Sequence, residues 1–454
     1  MTDAIHAPEG ETDSLMARIM RSSVATILGF GAQQAIRFGS NLILAHLLFP
    51  EAFGTMAVVT VLIVGLSMVS DLGIQPAIQS SKRGDEEDFL NTAWTLNLFR
   101  AFLLFLIACA LAWPMSIFYD EEILLYIVPV SAISILITAL EPTRAETASR
   151  HMLLGRLTVY ELAAQIVSTV LLLALAFNMH SVWALVWGNV IGAVVHAVLS
   201  YVILPGIVNR PRYCRESAKE LVTYGRWIFF STFFGFIVLQ ADKIILGRFL
   251  TLEDLGLYNI GFFLASFPLM LGQQLTQRLA IPIYRASPPS ESRENFARLS
   301  RMRYMLSGFL VAAVTPLALG GIYIVGFLYD VRYEASGGVL MLVALALLPQ
   351  MIFLTYDQVT LGSGDSRGFF VLNAVRAVVL VALMTYFVWQ MGIPGAPVAT
   401  LLTTLLTYPL QVKLARKYGA WDPLHDAIMA CVAMILALVV MWSHGDTLFH
   451  LFVN

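Results

Sequence analysis

Three arginines stand where the surrounding sequence is apolar: Arg37, Arg100 and Arg376. Gln33, Arg37 and Asn41 recur at i, i+4 and i+8, one stripe of a helix. Asn97 precedes Arg100 by three positions, and Asn373 precedes Arg376 by three. A guanidinium offers donors in a planar fork, so stripes of this kind suit a phosphate-like anion. The competing reading pairs each arginine with a carboxylate that only ties helices together. Asp242 and Lys243 are adjacent in LQADKIILGRFL, another apolar run. Successive helical positions point roughly 100° apart, so these two do not face one another. Asp242 must reach another helix or water, while Lys243 is near enough to a helix end to snorkel. The pair reads as an outer cavity wall or gate, or as an interhelical clamp. Asp71, in line with Ser67 and Gln75, and Asp357 read as proton or Na+ sites, or as helix-end groups in contact with headgroups and water.

The elements that hold these residues must be membrane helices. The 454 residues are 58% hydrophobic and 13% charged, with a mean hydropathy of +0.76. Soluble domains carry about 25% charged residues, so this chain could not cover a water-facing surface. Apolar segments of helix length are predicted at 23–47, 53–75, 89–112, 121–140, 155–177, 181–204, 226–248, 255–275, 304–328, 337–361, 368–390, 393–413 and 424–442, thirteen spans in all. Pro129, Pro268, Pro316, Pro349 and Pro409 fall inside them, where they kink helices and free carbonyls. A charge at mid-bilayer costs ~2.5–3.5 kcal/mol, so the seven named above would cost roughly 20 if all faced lipid. That exceeds a typical net stability of about 5–15 kcal/mol, so most of them must face a bundle interior or a wet cavity.

Orientation follows from the basic residues. Of 28 lysines and arginines, 22 fall on the side shared by the N-terminal flank and alternate loops, against Arg248 and Arg332 opposite. The positive-inside rule then places the N-terminus in the cytoplasm. The polar start TDAIHAPEGETDS lacks the basic n-region and cleavage site of a signal peptide, so the first apolar segment is expected to be retained. The six arginines from Arg278 to Arg303 are expected to meet anionic headgroups of the membrane lipids. Gln273, Gln274 and Gln277 read as sugar-binding groups or as the wet end of a helix. Cys109, Cys214 and Cys431 are far apart and imply neither a disulfide framework nor a metal site. No cofactor and no nucleic-acid partner is expected.

An internal repeat is present. LILAHLLFPEAFGTM (42–56) matches KIILGRFLTLEDLGLY (243–258) at an offset of 202, with Leu44/Leu246, Leu48/Leu250, Glu51/Glu253 and Gly54/Gly256. Six spans separate the copies, which makes the repeats parallel and predicts two six-helix lobes around a shared cavity. The expected organisation is a cytoplasmic tail 1–22, a lobe 23–204, a basic cytoplasmic linker 205–225, a lobe 226–413, and an extra helix and tail 414–454.

With RSSVATILGFGAQQAIRFGSNLILAHLLFPEAFG, DLGIQPAIQ and LQADKIILGRFLTLEDLGLYNIGF, the chain resembles the multidrug/oligosaccharidyl-lipid/polysaccharide exporter superfamily over 18–417. Within it, the likeness is to the polysaccharide transporter (O-antigen flippase-like) family. The resemblance implies two six-helix bundles that rock about a central cavity. It implies translocation of undecaprenyl-diphosphate-linked sugar repeat units across the bacterial inner membrane, for exopolysaccharide, capsule or O-antigen assembly. A lipid-linked oligosaccharide substrate, coupling to protons or Na+, and a glycan polymerase partner in the membrane come with it. The alternative within transport is a cation-coupled multidrug or lipid II exporter. A membrane glycan polymerase or ligase ranks last, because the outer loops PMSIFYDEE and YDVRYEAS are short and no Ser/His/Asp arrangement is visible in the sequence. No enzyme activity is expected.

Overall fold

The computed structural model describes residue 29 and residues 31–453, apart from 71, 72, 82, 152, 287 and 364. Inside the helices, the side chains of 69, 76, 80, 154, 223–231, 277–286, 358, 361, 362, 366, 447 and 449–453 are outside the description. The regular elements are helices: α1 (31–47), α2 (Pro50–Val69), α3 (Ile74–Ser80), α4 (Glu87–Tyr119), α5 (Leu124–Ala139), α6 (Arg144–Arg150), α7 (Leu154–Met179), α8 (Val182–Ile203), α9 (Arg215–Phe249), α10 (Leu252–Ala286), α11 (Arg293–Leu328), α12 (Ala335–Gly362), α13 (Ser366–Met391), α14 (Gly395–Lys417) and α15 (Pro423–Val453). Among the described residues ten are long and apolar enough to cross a membrane, or eleven if the bent pair α5 and α6 is one span.

Two differences from the sequence reading have a physical cause. The short helices α3 and α6 lie where only loops were expected, because seven residues are too few to register as an apolar period. The long loop expected at 276–303 shrinks to 287–292, since α10 runs on to Ala286 and α11 starts at Arg293. Ser292 caps α11 by accepting from the amide of Asn295 at 3.1 Å. Polar turns continue an apolar helix once it is nucleated, and hydropathy alone does not see them. At about 1.5 Å per residue, helices of 35 or 36 residues span more than the ~30 Å hydrocarbon layer.

The chain divides into two compact units. Unit 1 comprises Met1–Leu48 and Leu62–Phe230; unit 2 comprises Phe49–Val61 and Ser231–Asn454. The first turns of α2 thus belong to unit 2 and the remainder to unit 1.

In unit 1, alanines of α4 and α5 (Ala101, Ala108, Ala132 and Ala139) let these helices pack closely, with Leu62, Ile63 and Leu66 of α2 against them. The arginines of α6 act as caps. Arg150 Nη1 donates to the carbonyls of Ile78, Gln79 and Ser81, where α3 ends. Arg144 donates to Tyr201 O, Leu204 O and Ile207 O, where α8 ends. Each arginine therefore satisfies carbonyls that a helix terminus leaves open. The segment after α8 is latched by the buried Asn209, whose Oδ1 accepts from the amide of Thr143 at 2.9 Å and whose Nδ2 donates to Asn91 Oδ1 at 3.3 Å.

In unit 2, α12 packs against α10, α11, α14 and α15, and α13 packs on α14. The start of α2 enters this unit through a reciprocal contact. A Cβ on Gly54 would overlap the carbonyl oxygen of Leu252, and a Cβ on Gly256 would overlap that of Pro50. Both residue pairs are related by the offset of 202 in the sequence repeat. Arg332 lies over the Phe49 ring at 4.6 Å, and Phe53 meets Tyr333 edge-on at 6.1 Å, which fixes the same turn.

Candidate functional site

Unit 1 holds a polar cavity of about 240 Å3 at the end of the α2–α4–α5 layer. Arg100 and Asn97 of α4, Ser67 of α2, and Ser134 and Thr138 of α5 supply its polar lining; Ile63, Ala101, Ile135 and Ala139 supply the rest. The i, i+3 spacing of Asn97 and Arg100 puts both on one face, and the i, i+4 spacing of Ser134 and Thr138 does the same on α5. Ser134 turns its hydroxyl proton to Ser131 O at 2.6 Å, leaving its oxygen lone pairs as acceptors. One cation, one amide and the hydroxyls of Ser67 and Thr138 can donate to an anion of a few heavy atoms, whereas Ser134 presents only acceptors. The cavity is below the ~300–1,000 Å3 of sites that enclose drug-sized molecules.

The α1 stripe is also placed in unit 1. Arg37 is exposed and forms no ion pair among the described residues. Gln33 donates to Glu161 Oε2 at 3.0 Å, and Gln165 Nε2 donates to Gln33 O at 3.0 Å. Glu161 is thus an eighth charge within an apolar helix, one that the sequence reading missed. Its i, i+4 spacing with Gln165 on α7 was the available signal. Asn41 is half-buried on the same stripe. Asp71 lies outside the described residues.

In unit 2, Arg376, Asp357, Asn373 and Asp242 are engaged with protein partners. Arg376 binds Asp357 through both nitrogens, Nη2 to Oδ1 at 3.0 Å and Nη1 to Oδ2 at 3.3 Å. Gln411 Nε2 donates to the same Oδ1 at 2.7 Å, so α12, α13 and α14 meet at one carboxylate. The side chains of the pair are 13% and 16% exposed. Asn373 donates to Phe369 O of its own helix at 3.0 Å. Asp242, 8% exposed, accepts from Tyr258 Oη at 3.2 Å, which ties α9 to α10. Lys243 is half-buried. Gln273 and Gln274 are half-buried on α10; the side chain of Gln277 is outside the description.

A Ser–His–Asp arrangement is present in space although its members are far apart in sequence. Ser307 Oγ lies 3.0 Å from His425 Nε2, and His425 Nδ1 lies 3.0 Å from Asp426 Oδ1. Ser307 is 1% exposed and His425 0%, so the hydroxyl is closed to any substrate. The arrangement therefore belongs to the packing between α11 and α15.

Ionised groups outside the spans are held by local partners. The Tyr418 hydroxyl (2.6 Å), the Lys417 ammonium (2.9 Å) and the Gly368 amide (2.8 Å) hold the Asp365 carboxyl well below the usual carboxylate range. At Asp85, burial pushes the carboxyl up, but Arg150 at 2.9 Å and His151 at 2.8 Å outweigh it and lower the value. The described residues contain no group of three or more His, Cys, Asp or Glu able to hold a metal.

Comparison with known proteins agrees with this architecture. Lipid II flippase MurJ in an inward closed conformation superimposes with a TM-score of 0.67 at 12% identity, covering 94% of this chain and 99% of that one. A MATE family multidrug resistance transporter of the MOP superfamily, inward-facing, gives 0.64 at 11% identity, covering 85% and 95%. These likenesses define the fold. Among curated proteins, the teichuronic acid biosynthesis protein TuaB of Bacillus subtilis (strain 168) is 23% identical over 53% of this chain and 50% of its own length. The succinoglycan biosynthesis transport protein ExoT of Rhizobium meliloti (strain 1021) is 23% identical over 51% and 47%. The amylovoran biosynthesis protein AmsL of Erwinia amylovora is 25% identical over 66% and 78%. The chain spans about half the length of the first two of these relatives. Residues 43–334, more than half of the chain, match the family described as polysaccharide biosynthesis protein. With ten apolar helices long enough to span and the fold of MurJ and MATE transporters, this is a multi-pass, transporter-like membrane protein; it belongs to the polysaccharide biosynthesis protein family.

Proposed function

We propose that this chain is a flippase that moves undecaprenyl-diphosphate-linked oligosaccharide repeat units across the bacterial inner membrane by alternating access. The observation that carries this reading is the cavity at Arg100. A guanidinium beside Asn97, Ser67 and Thr138 can receive phosphate oxygens, and Arg37, exposed on α1 and in no ion pair among the described residues, offers a further cation in the same unit. All five cavity groups lie toward the helix ends that carry the basic loops. With the N-terminus in the cytoplasm, that is the leaflet in which a lipid-linked sugar is made. Exposed aromatics at the opposite ends of α4, α11, α13 and α15 (Trp113, Phe327, Trp389 and Trp442) support this orientation as an interfacial belt.

Arg376, Asp357 and Gln411 then serve as a brace between α12, α13 and α14, Asn373 bonds within its own helix, and Asp242 with Tyr258 braces α9 on α10. The α1 stripe adds polar groups for substrate in unit 1, and Lys243 is a candidate substrate contact in unit 2. Lipid II carries the same diphosphate and is the nearest competing substrate. A cationic drug is disfavoured, because an arginine-lined cavity repels it. The test uses cells that make a lipid-linked glycan, depleted of this protein. The repeat unit accumulates on the cytoplasmic leaflet, the wild-type gene restores export, and Arg100→Ala, expressed at a normal level, does not. Export intact on depletion removes the reading. Full rescue by Arg100→Ala removes the cavity from it.

A further inference from the structure

The root of α15 is where unit 2 concentrates buried charge. Arg303 is 0% exposed, Asp422 6%, His425 0% and Asp426 5%. Arg303 donates to Thr355 Oγ1 at 2.9 Å, to Ala420 O at 2.9 Å and to Tyr356 Oη at 3.3 Å, and its guanidinium lies 4.2 Å from the centre of the Tyr356 ring. Asp422 accepts from Ser300 Oγ at 2.5 Å and from the His425 amide at 3.1 Å. Asp426 accepts from Tyr408 Oη at 2.7 Å and from Tyr356 Oη at 2.9 Å. Among the buried groups, one guanidinium and two carboxylates leave an excess negative charge unless His425 carries a proton; Arg416 of α14, nearby, is exposed to solvent and lies 3.8 Å from the centre of the Trp421 ring. A buried uncompensated charge costs several kcal/mol.

The hydrogen bonds independently define where that proton goes. Asp426, ionised, can only accept, and both tyrosines spend their single proton on it. His425 Nδ1, 3.0 Å from Asp426 Oδ1, must therefore be the donor in either state. The other ring nitrogen, Nε2, lies 3.0 Å from the Ser307 hydroxyl. A hydroxyl rotates to suit: it donates to a neutral ring or accepts from an imidazolium. Both protonation states are thus satisfied with no movement of heavy atoms. The groups facing the ring are Arg303, Tyr304 (edge-on, 4.8 Å) and Ser307 from α11, Tyr356 from α12, Tyr408 from α14, and Asp422 and Asp426 at its own root.

We infer that the root of α15 is a proton-binding site, in which His425 takes up one proton reversibly to neutralise Arg303, Asp422 and Asp426. The bound proton fastens the thirteenth predicted span to α11, α12 and α14. The site adjoins the Arg376 brace through two helices: Tyr356 precedes Asp357 on α12, and Tyr408 is one turn from Gln411 on α14. The two clusters thus share α12 and α14. The inference does not depend on which substrate is carried.

The sign is fixed by the charge count. The protonated cluster is neutral, so attachment is strongest on the acidic side and weakens as pH rises. The test is the melting temperature of the purified full chain in nanodiscs across about pH 5–8, the range in which histidine changes charge. The wild type is expected to lose stability on the alkaline side, and H425Q to lose that slope. D426N removes one carboxylate, so the cluster is neutral with a neutral ring, and it too loses the slope. D426N keeps the test decisive where H425Q fails to fold. Wild-type and D426N curves that run parallel would overturn the inference.

Discussion

The Arg376–Asp357 pair separates a brace from a binding site by measurement. Arg376→Gln removes the fork and leaves Asp357, 16% exposed on its side chain, with Gln411 at 2.7 Å as its side-chain partner among the described residues. Breaking a buried ion pair costs ~3–5 kcal/mol in soluble proteins. Ordinary interhelical hydrogen bonds in membranes average about 0.6 kcal/mol. Partial exposure and the retained Gln411 bond place Arg376→Gln between these, at about 2 kcal/mol. Asp357→Asn should cost a similar amount, since it leaves a cation without its counter-charge. The double variant removes both charges together and should cost only about 1 kcal/mol, a coupling of roughly 3 kcal/mol between neighbours. The assay is reversible unfolding in mixed micelles, followed by secondary structure, with export measured in parallel. Additive single costs would refute the brace. A stable double variant that no longer exports would show that Arg376 touches substrate as well.

The remaining expectations address the joint of α2 with α10 and the cap of α13. Gly54→Ala and Gly256→Ala each force a methyl into a backbone carbonyl and should cost about 1–3 kcal/mol by overpacking. Gly39→Ala, where nothing lies within 4 Å, should be neutral or slightly stabilising; melting temperatures of the three variants decide this. Asp365, held below its ordinary value of 3.8, contributes stability that is present above that value and is lost as pH falls through and below it. Asp365→Asn should flatten the acid-side decline between about pH 5 and 3, and an unchanged decline would remove the residue from it.

Composition and periodicity alone determined the membrane class and the positions of the ten helices that are long and apolar enough to cross a membrane among the described residues. The reason is that lipid forces each span to be apolar along its whole length, a signal local to the sequence. Gly54 and Gly256, which the sequence pairs at an offset of 202, are the two residues at which the starts of α2 and α10 come closest to each other's backbone carbonyls. Periodicity placed each polar residue on a face of its own helix, but it carries no information on which helix that face meets. Only the tertiary structure decided that Arg376 meets Asp357, and that Arg100 lines a cavity with Asn97, Ser67 and Thr138. It also decided that Gln33 finds Glu161 across 128 positions, and that Ser307 meets His425 across 118. A charge within a membrane helix announces that it needs a partner or a wet space; which of the two it receives is set by packing between segments distant in the chain.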